Sequence, residues 1–338
     1  MKFRAIGLIS TFALGLIAAP LPAEAQQAGK IYRVGWLRFS PRPPTGPTHV
    51  AFRQGFSRIR EDDHMPIITI YRGAFAGGEE VAQYVAQTLD FRCVGREELV
   101  EASRTYRITA AKLNEILERE PHWWEHWHQN LQPYRIALQA AMCSVAQEGN
   151  IVYHGHVGHE LLPGIRHVLK VLLTAPLEFR IKKVRSQQGL DEAGARRYID
   201  HVDRARTRRL TAMFGSDWRD PTRYDLVLNL AQMSLETARH IIVEVARLGQ
   251  YQPTAASEQE LQNLALTTRV QAALMMSPRY RNIALNVQAE GGQVRVSGVV
   301  TRSVSQHEII RHVECVPGVS NVVMDLIRLP DHPDYWCF

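Results

Sequence analysis

The clearest pattern of apolar and polar positions begins at residue 67. Ile67 to Tyr71 is an apolar run, a Gly-rich turn follows, and Val81, Tyr84, Val85 and Leu89 then recur at helical spacing. Ile151 to His154 predicts a second strand. Val168 to Ala175, almost continuously apolar, predicts a central parallel strand covered on both faces. Helical periodicity fills the intervals over Arg96 to Tyr106, Thr109 to Glu118 and Leu131 to Gln147, and helices dominate from Pro176 to Leu248. Strands alternating with helices predict an α/β domain with a doubly wound parallel sheet.

Beyond residue 250 the pattern changes. Residues 251–263 are polar and Pro-containing and read as a linker into a helix over Leu264 to Met275. Two strands of period two follow, with Ile283, Leu285 and Val287 before, and Val294, Val296 and Val299 after, the pair Gly291-Gly292, which suits a primed hairpin turn. Gly298 marks a point where the strand bends or another backbone approaches closely. A helix over Ser303 to Glu314 and a strand over Val319 to Ile327 complete a small α+β module at residues 264–328, leaving 329–338 as a tail.

The first 64 residues belong to neither pattern. Lys2 and Arg4 give a positive start, Ala5 to Ala19 an apolar stretch, and Ala23-Glu24-Ala25 a small-residue cleavage box. Residues 1–25 are therefore expected to be a signal peptide cut before Gln26, directing the protein to the periplasm or outside. Residues 26–60, with a strand over Tyr32 to Leu37 and the segment Phe52 to Phe56, resemble the opening of ABC-transporter substrate-binding proteins. Nothing later continues that resemblance. A chain starting at Met65 would hold both later domains and stay in the cytoplasm.

Composition narrows the classes. The 338 residues are 45% hydrophobic, enough for two or three domains and against wholesale disorder. A net charge of +6 is mild and spread along the chain, so nucleic acid is not an expected partner. Cys93, Cys143, Cys315 and Cys337 are far apart with no CxxC pair, which excludes a zinc ribbon and reads as buried or incidental thiols.

Candidate chemistry centres on Gly73-Ala74-Phe75-Ala76-Gly77-Gly78-Glu79-Glu80, a strand–glycine loop–helix junction of the kind that cradles phosphate. Glu79 sits where a phosphate-binding loop carries its Lys, and Glu80 where Ser or Thr would bind Mg²⁺. Only the backbone element is kept, and on the loop alone a structural turn fits the pattern equally well. Arg197, His201, Arg204 and Arg208 recur at spacings of four, three and four, one helix face that reads either as a phosphate clamp or as a solvated basic stripe balanced by Asp200 and Asp203. Asp217, Trp218, Asp220 and Asp225 read as capping and packing residues. His122, His126 and His128, and again His154, His156 and His159, invite a metal, but no fixed carboxylate or Cys accompanies them and no metal site is assigned.

Residues 65 to about 248 resemble the cytidylate kinase-like family of P-loop nucleoside monophosphate kinases. The matching segments are Arg72 to Val81, Val94-Gly95-Arg96-Glu97-Glu98-Leu99, Ile151 to Val157, and above all Ala195 to Ala238 with V-D-R-A-R, F-G-x-D-W-x-D-P and Y-D-L-V-x-N. Ala76, Gly95 and His156 depart from the family pattern. The resemblance implies a P-loop sheet with a helical lid, with residues 73–80 holding ATP and Mg²⁺. It further implies Arg180, Arg204 and Arg208 on the transferred phosphoryl group, and Arg96 and His156 on a CMP or dCMP acceptor. Leu266 to Leu326 resembles a BON domain, which implies a phospholipid or protein partner. Two functions follow: phosphoryl transfer from ATP to CMP or dCMP, or a catalytically inert envelope protein that uses both domains for binding.

Overall fold

In a computed structural model of the chain, residues 66–73, 77–108 and 131–329 are described. The expected signal peptide, the segment to Met65, loop residues Ala74, Phe75 and Ala76, the Thr109 to Glu118 helix, the first histidine cluster and the tail beyond Leu329 lie outside them.

The first domain is a parallel sheet with helices on both faces. Strand β1 (Ile67–Arg72) leads into α1 (Gly78–Leu89), β2 (Arg92–Gly95) into α2 (Arg96–Ala102), and α3 (Gln132–Ala146) into β3 (Ile151–His154). A single turn, α4 (Gly158–Leu161), precedes β4 (Val168–Thr174). Helices α5 (Leu177–Gln188) and α6 (Glu192–Phe214), then β5 (Leu226–Asn229) and α7 (Leu235–Ala246), complete the domain. The strand order β2-β3-β1-β4-β5 puts β1 at the centre, where the chain switches from one half of the sheet to the other.

Alternation along β1 divides the core. Ile68 and Ile70 face α1 and α7 with Val152, Leu169, Val171 and Leu228, while Ile67 and Tyr71 face α3 with Ile151, Tyr153 and Leu172. Both sides of every central strand are thus apolar, as a doubly covered sheet requires. Helices α5 and α6 pack on each other through Ile181, Val184, Ala195 and Ile199, a small separate core. This hairpin matches the expected helical lid.

Two strands were not legible in the pattern. β2 and β5 have four residues each, and both lie at sheet edges, where three positions of β2 and two of β5 are exposed or partly so. The expected helical stretch from Pro176 to Leu248 is therefore interrupted by β5.

The segment expected as a linker is largely helix. Thr254 caps α8 (Ala255–Met276), its Oγ1 accepting from Ser257 N while Ser257 Oγ accepts from Thr254 N, and the helix runs unbroken into the second domain. Leu261 and Ala265 enter the core of the first domain beside α3, whereas Leu266, Val270 and Leu274 enter that of the second. Buried His167 Nδ1 lies 2.8 Å from Ser257 Oγ, and Arg269 donates to Pro317 O at 2.8 Å from the far side of the same helix.

The second domain is β6 (Leu285–Glu290), β7 (Gln293–Thr301), α9 (Gln306–Glu314) and β8 (Asn321–Leu329). β6 and β7 form the expected hairpin, with Gly291 and Gly292 at φ 55 and 87, values that favour glycine. β7 and β8 run parallel. At Gly298 a Cβ would stand 2.6 Å from Ala284 O, the close approach its position implied. One face of this sheet packs on α8 and α9; the other leaves Val299, Ile327 and Leu329 exposed. Among the described residues no helix is long and apolar enough to cross a membrane.

Candidate functional site

The site lies at the carboxyl ends of β1 and β3, the edge where doubly wound sheets bind ligands. Gly73 N donates to Leu173 O at 2.9 Å, extending the ladder one residue past β1. Gly77, with φ of 71 and ψ of 21, sets the entry into α1. A Cβ at Gly78 would stand 2.6 Å from Arg72 Cβ, so strand end and helix start touch. Among the described residues no side chain caps α1, and its first amides have no partner inside the helix. They open on a cavity of about 450 Å³ lined by Arg72, Gly77, Glu79, Glu80, Lys183 and Arg206, among others.

Glu79, at the loop-lysine position, has Oε2 3.7 Å from Arg72 Nη1 and is half-exposed. Glu80 lies one residue on, in the first turn, at the same mouth. Arg206 donates from Nη1 to Arg72 O at 3.0 Å, and its burial pulls the guanidinium below its usual value.

Deeper in, His156 has no hydrogen-bond partner for either ring nitrogen among the described residues. Burial, with Arg206, Arg209, Arg72 and Arg96 around it, holds His156 neutral, well below an ordinary histidine. Arg96 opens α2 and pairs with Glu97 at 2.9 Å. The expected acceptor residues Arg96 and His156 therefore share one basic neighbourhood. Behind them Tyr71 stacks on Trp218 at 5.4 Å and meets His159 edge-on at 5.2 Å. Trp218 Nε1 donates to Thr207, and Tyr224 Oη to Trp218 O. Asp220 caps a short turn through Thr222 N, and Asp225 accepts from Lys170 N at 2.8 Å, so these residues brace the wall as the sequence implied.

The arginine stripe is placed differently from the reading that made it a clamp. Arg197, His201, Arg204 and Arg208 are all exposed, and Arg204 pairs with Asp200 on the same outer face. The face of α6 that meets the cavity carries Tyr198, Val202 and Arg206. Arg180 is buried, with Nη2 2.8 Å from Asp203 Oδ1, a contact that ties α5 to α6. Arg206, Arg72 and Lys183 were not singled out from sequence. A signal for Arg206 was present: it follows Val202 by four and Ile199 by seven, and those apolar residues mark the inward face.

Among the described residues no group of three His, Cys, Asp or Glu converges as a metal site. Cys93, Cys143 and Cys315 are free, and burial pushes the Cys143 thiol up to about 12.

The profile of the cytidylate kinase-like family matches residues 67–232, and that of the BON domain residues 263–330. A cytidylate kinase from Methanopyrus kandleri is 33% identical over 97 residues, 26% of this chain and 50% of that one. One from Ignicoccus hospitalis is 26% identical over 173 residues, 51% of this chain and 94% of that one. The chain spans about half the length of the Methanopyrus relative and 55% of one from Staphylothermus marinus. Among solved structures, a protein from Eubacterium ventriosum is similar with a TM-score of 0.44 at 19% identity, over 54% of this chain and 98% of that one. A shikimate kinase from Bacteroides thetaiotaomicron has a TM-score of 0.35 at 15% identity, over 54% and 99%. The chain thus joins a cytidylate kinase-like domain, with its kinase-type nucleotide-binding fold, to a C-terminal BON domain.

Proposed function

We propose that the first domain transfers the terminal phosphoryl group of ATP to CMP or dCMP. The carrying observation is the uncapped start of α1 opening on a cavity lined by Arg72, Lys183 and Arg206. Free amides and a helix's positive end favour phosphate, and guanidinium groups in a partly desolvated cleft hold it in place. Phosphoryl transfer asks little covalent chemistry of a protein; positioning and charge stabilisation supply most of the rate. Arg72 and Arg206, joined through the Arg72 carbonyl, would hold the donor phosphates. Neutral His156 and Arg96 would meet the acceptor from the β3 and α2 side.

Mg²⁺ suits the mouth. Magnesium takes one or two carboxylates together with substrate phosphates. Glu80 offers such an oxygen at the cavity's edge, where Glu79 is drawn towards Arg72. The metal would neutralise charge on the transferred group. Release of ADP by the full chain with ATP, Mg²⁺ and each nucleoside monophosphate tests the reading. Turnover is expected with CMP or dCMP, and none with any acceptor rejects it.

A second reading, an inert binding protein of the envelope, draws on the exposed strip Val299, Ile327 and Leu329 of the BON domain. Sedimentation of the protein with phospholipid vesicles supports it if binding is lost in Ile327→Asp. The address is read by intact mass: an N-terminus at Gln26 fits export, one at Met65 the cytoplasm.

A further inference from the structure

The loop carries Glu79 at the lysine position, yet a lysine stands beside it. A Cβ placed on Gly77 would lie 3.4 Å from Lys183 Nζ, so the ammonium reaches the backbone at the entry to α1. Lys183 comes from α5, three residues after Arg180, and lines the same cavity as Arg72 and Arg206. The other cations at or beside the cavity are engaged: Arg72 with Glu79, Arg206 with the Arg72 carbonyl, and Arg180 with Asp203. Lys183 pairs with no carboxylate among the described residues.

A helix start carries roughly half a positive charge. An ammonium beside it, with Arg72 and Arg206 on the same cavity, sets three side-chain cations against the two carboxylates Glu79 and Glu80, so an excess of positive charge remains. A polyanion lying between them converts each repulsion into an attraction. We propose that Lys183 supplies, from the α5–α6 hairpin, the cation that Glu79 denies the loop, and that its ligand is the β/γ-phosphate portion of a nucleoside triphosphate. This rests on the kinase reading of the same cavity. It gives the departure at Glu79 a physical compensation: the cation has moved from the loop to the helix that faces it. Donor binding then fastens α5 to the loop, as a lysine within the loop could not.

Calorimetric titration of the full chain with Mg·ATP and with inorganic tripolyphosphate tests this. Lys183→Ala should weaken both at least tenfold, about 1.4 kcal/mol. It should also lower the salt dependence of binding, and Lys183→Arg should keep most of the affinity. The exposed neighbour variant Lys182→Ala should stay within twofold. Glu79→Lys added to Lys183→Ala should restore binding, which a merely structural role for Lys183 would not produce. Should Lys183→Ala fail to fold, the Arg variant and the Glu79→Lys pairing with Lys183→Gln decide the matter. Wild-type affinity in Lys183→Ala, with binding lost in Arg206→Ala, overturns the assignment and leaves the kinase reading standing. If the unaltered protein takes up neither ATP nor tripolyphosphate, the kinase reading falls and this assignment with it.

Discussion

The two sheets of this chain are built from similar residues and solve different problems. β4 reads VLKVLLT and is buried or nearly so at every position, because helices cover both its faces. β7 reads QVRVSGVVT and alternates, because α8 and α9 cover one face and the other meets solvent. A doubly covered sheet must expose its chemistry at its ends, so the first domain gathers its cations at the carboxyl edge of β1 and β3. A singly covered sheet can present its flat face, and there the BON domain carries its apolar strip.

The largest test of that contrast is one isoleucine in each sheet. Ile68, on β1, is 0% exposed, and Ile327, on β8, is 64% exposed. Ile68→Ala should cost on the order of 3 kcal/mol in denaturant unfolding, because it leaves a cavity between sheet and helices. Ile327→Ala should cost less than about 0.5 kcal/mol. Equal losses would mean that the open face is covered in solution.

Acid should act on the first domain before the second. Burial depresses His159 to about 4, although Glu160 and its contact with Tyr224 lie close. The folded state therefore favours neutral His159, while the unfolded chain protonates it near pH 6.5. Its contribution is complete above about pH 6.5 and is lost as pH falls towards 4, on the order of 3 kcal/mol in all. His156, lowered in the same sense, steepens the loss. Unfolding free energy followed from pH 7 to 4 should fall, and His159→Asn should flatten the slope; an unchanged slope would place the acid sensitivity elsewhere.

A smaller effect separates the two faces of α6. Arg206→Ala should weaken Mg·ATP roughly 10- to 100-fold, the scale of one or two charge-assisted hydrogen bonds. Arg204→Ala, on the outer face with Asp200, should change affinity by less than twofold and stability by less than about 0.5 kcal/mol. A reversal, seen in the same titrations, would return the clamp to the outer stripe.

These placements show what sequence can carry. β1 and β4 were legible because their apolar runs are long, β3 because its short run is continuously buried up to His154, and the β6–β7 hairpin because period two and a Gly-Gly pair agree. β2 and β5 were not, since four residues broken by partly or fully exposed positions make no pattern, and their strandness comes from a neighbour's hydrogen bonds. In the site, the glycines were legible because backbone geometry demands them. The face of α6 that lines the cavity was not legible, because charge spacing defines a stripe without saying which way it points. Only the apolar residues Ile199 and Val202 carry that direction. Lys183 could not be found at all, because its nearness to Gly77 arises from residues a hundred positions apart.

Helix α8 has a consequence for how the protein comes into being. The two family profiles leave residues 233–262 between them, yet Leu261 and Ala265 are part of the first domain's wall. A ribosome delivers the chain from its N-terminus, and domains fold as they emerge. The first domain cannot close its core when its last strand appears; it must wait for a helix that belongs equally to the domain still being made. The two halves therefore mature together. A truncation between Thr254 and Leu261 leaves both of them unfinished, because it removes Leu261 and Ala265 from the first domain's wall as well as the second domain's helix.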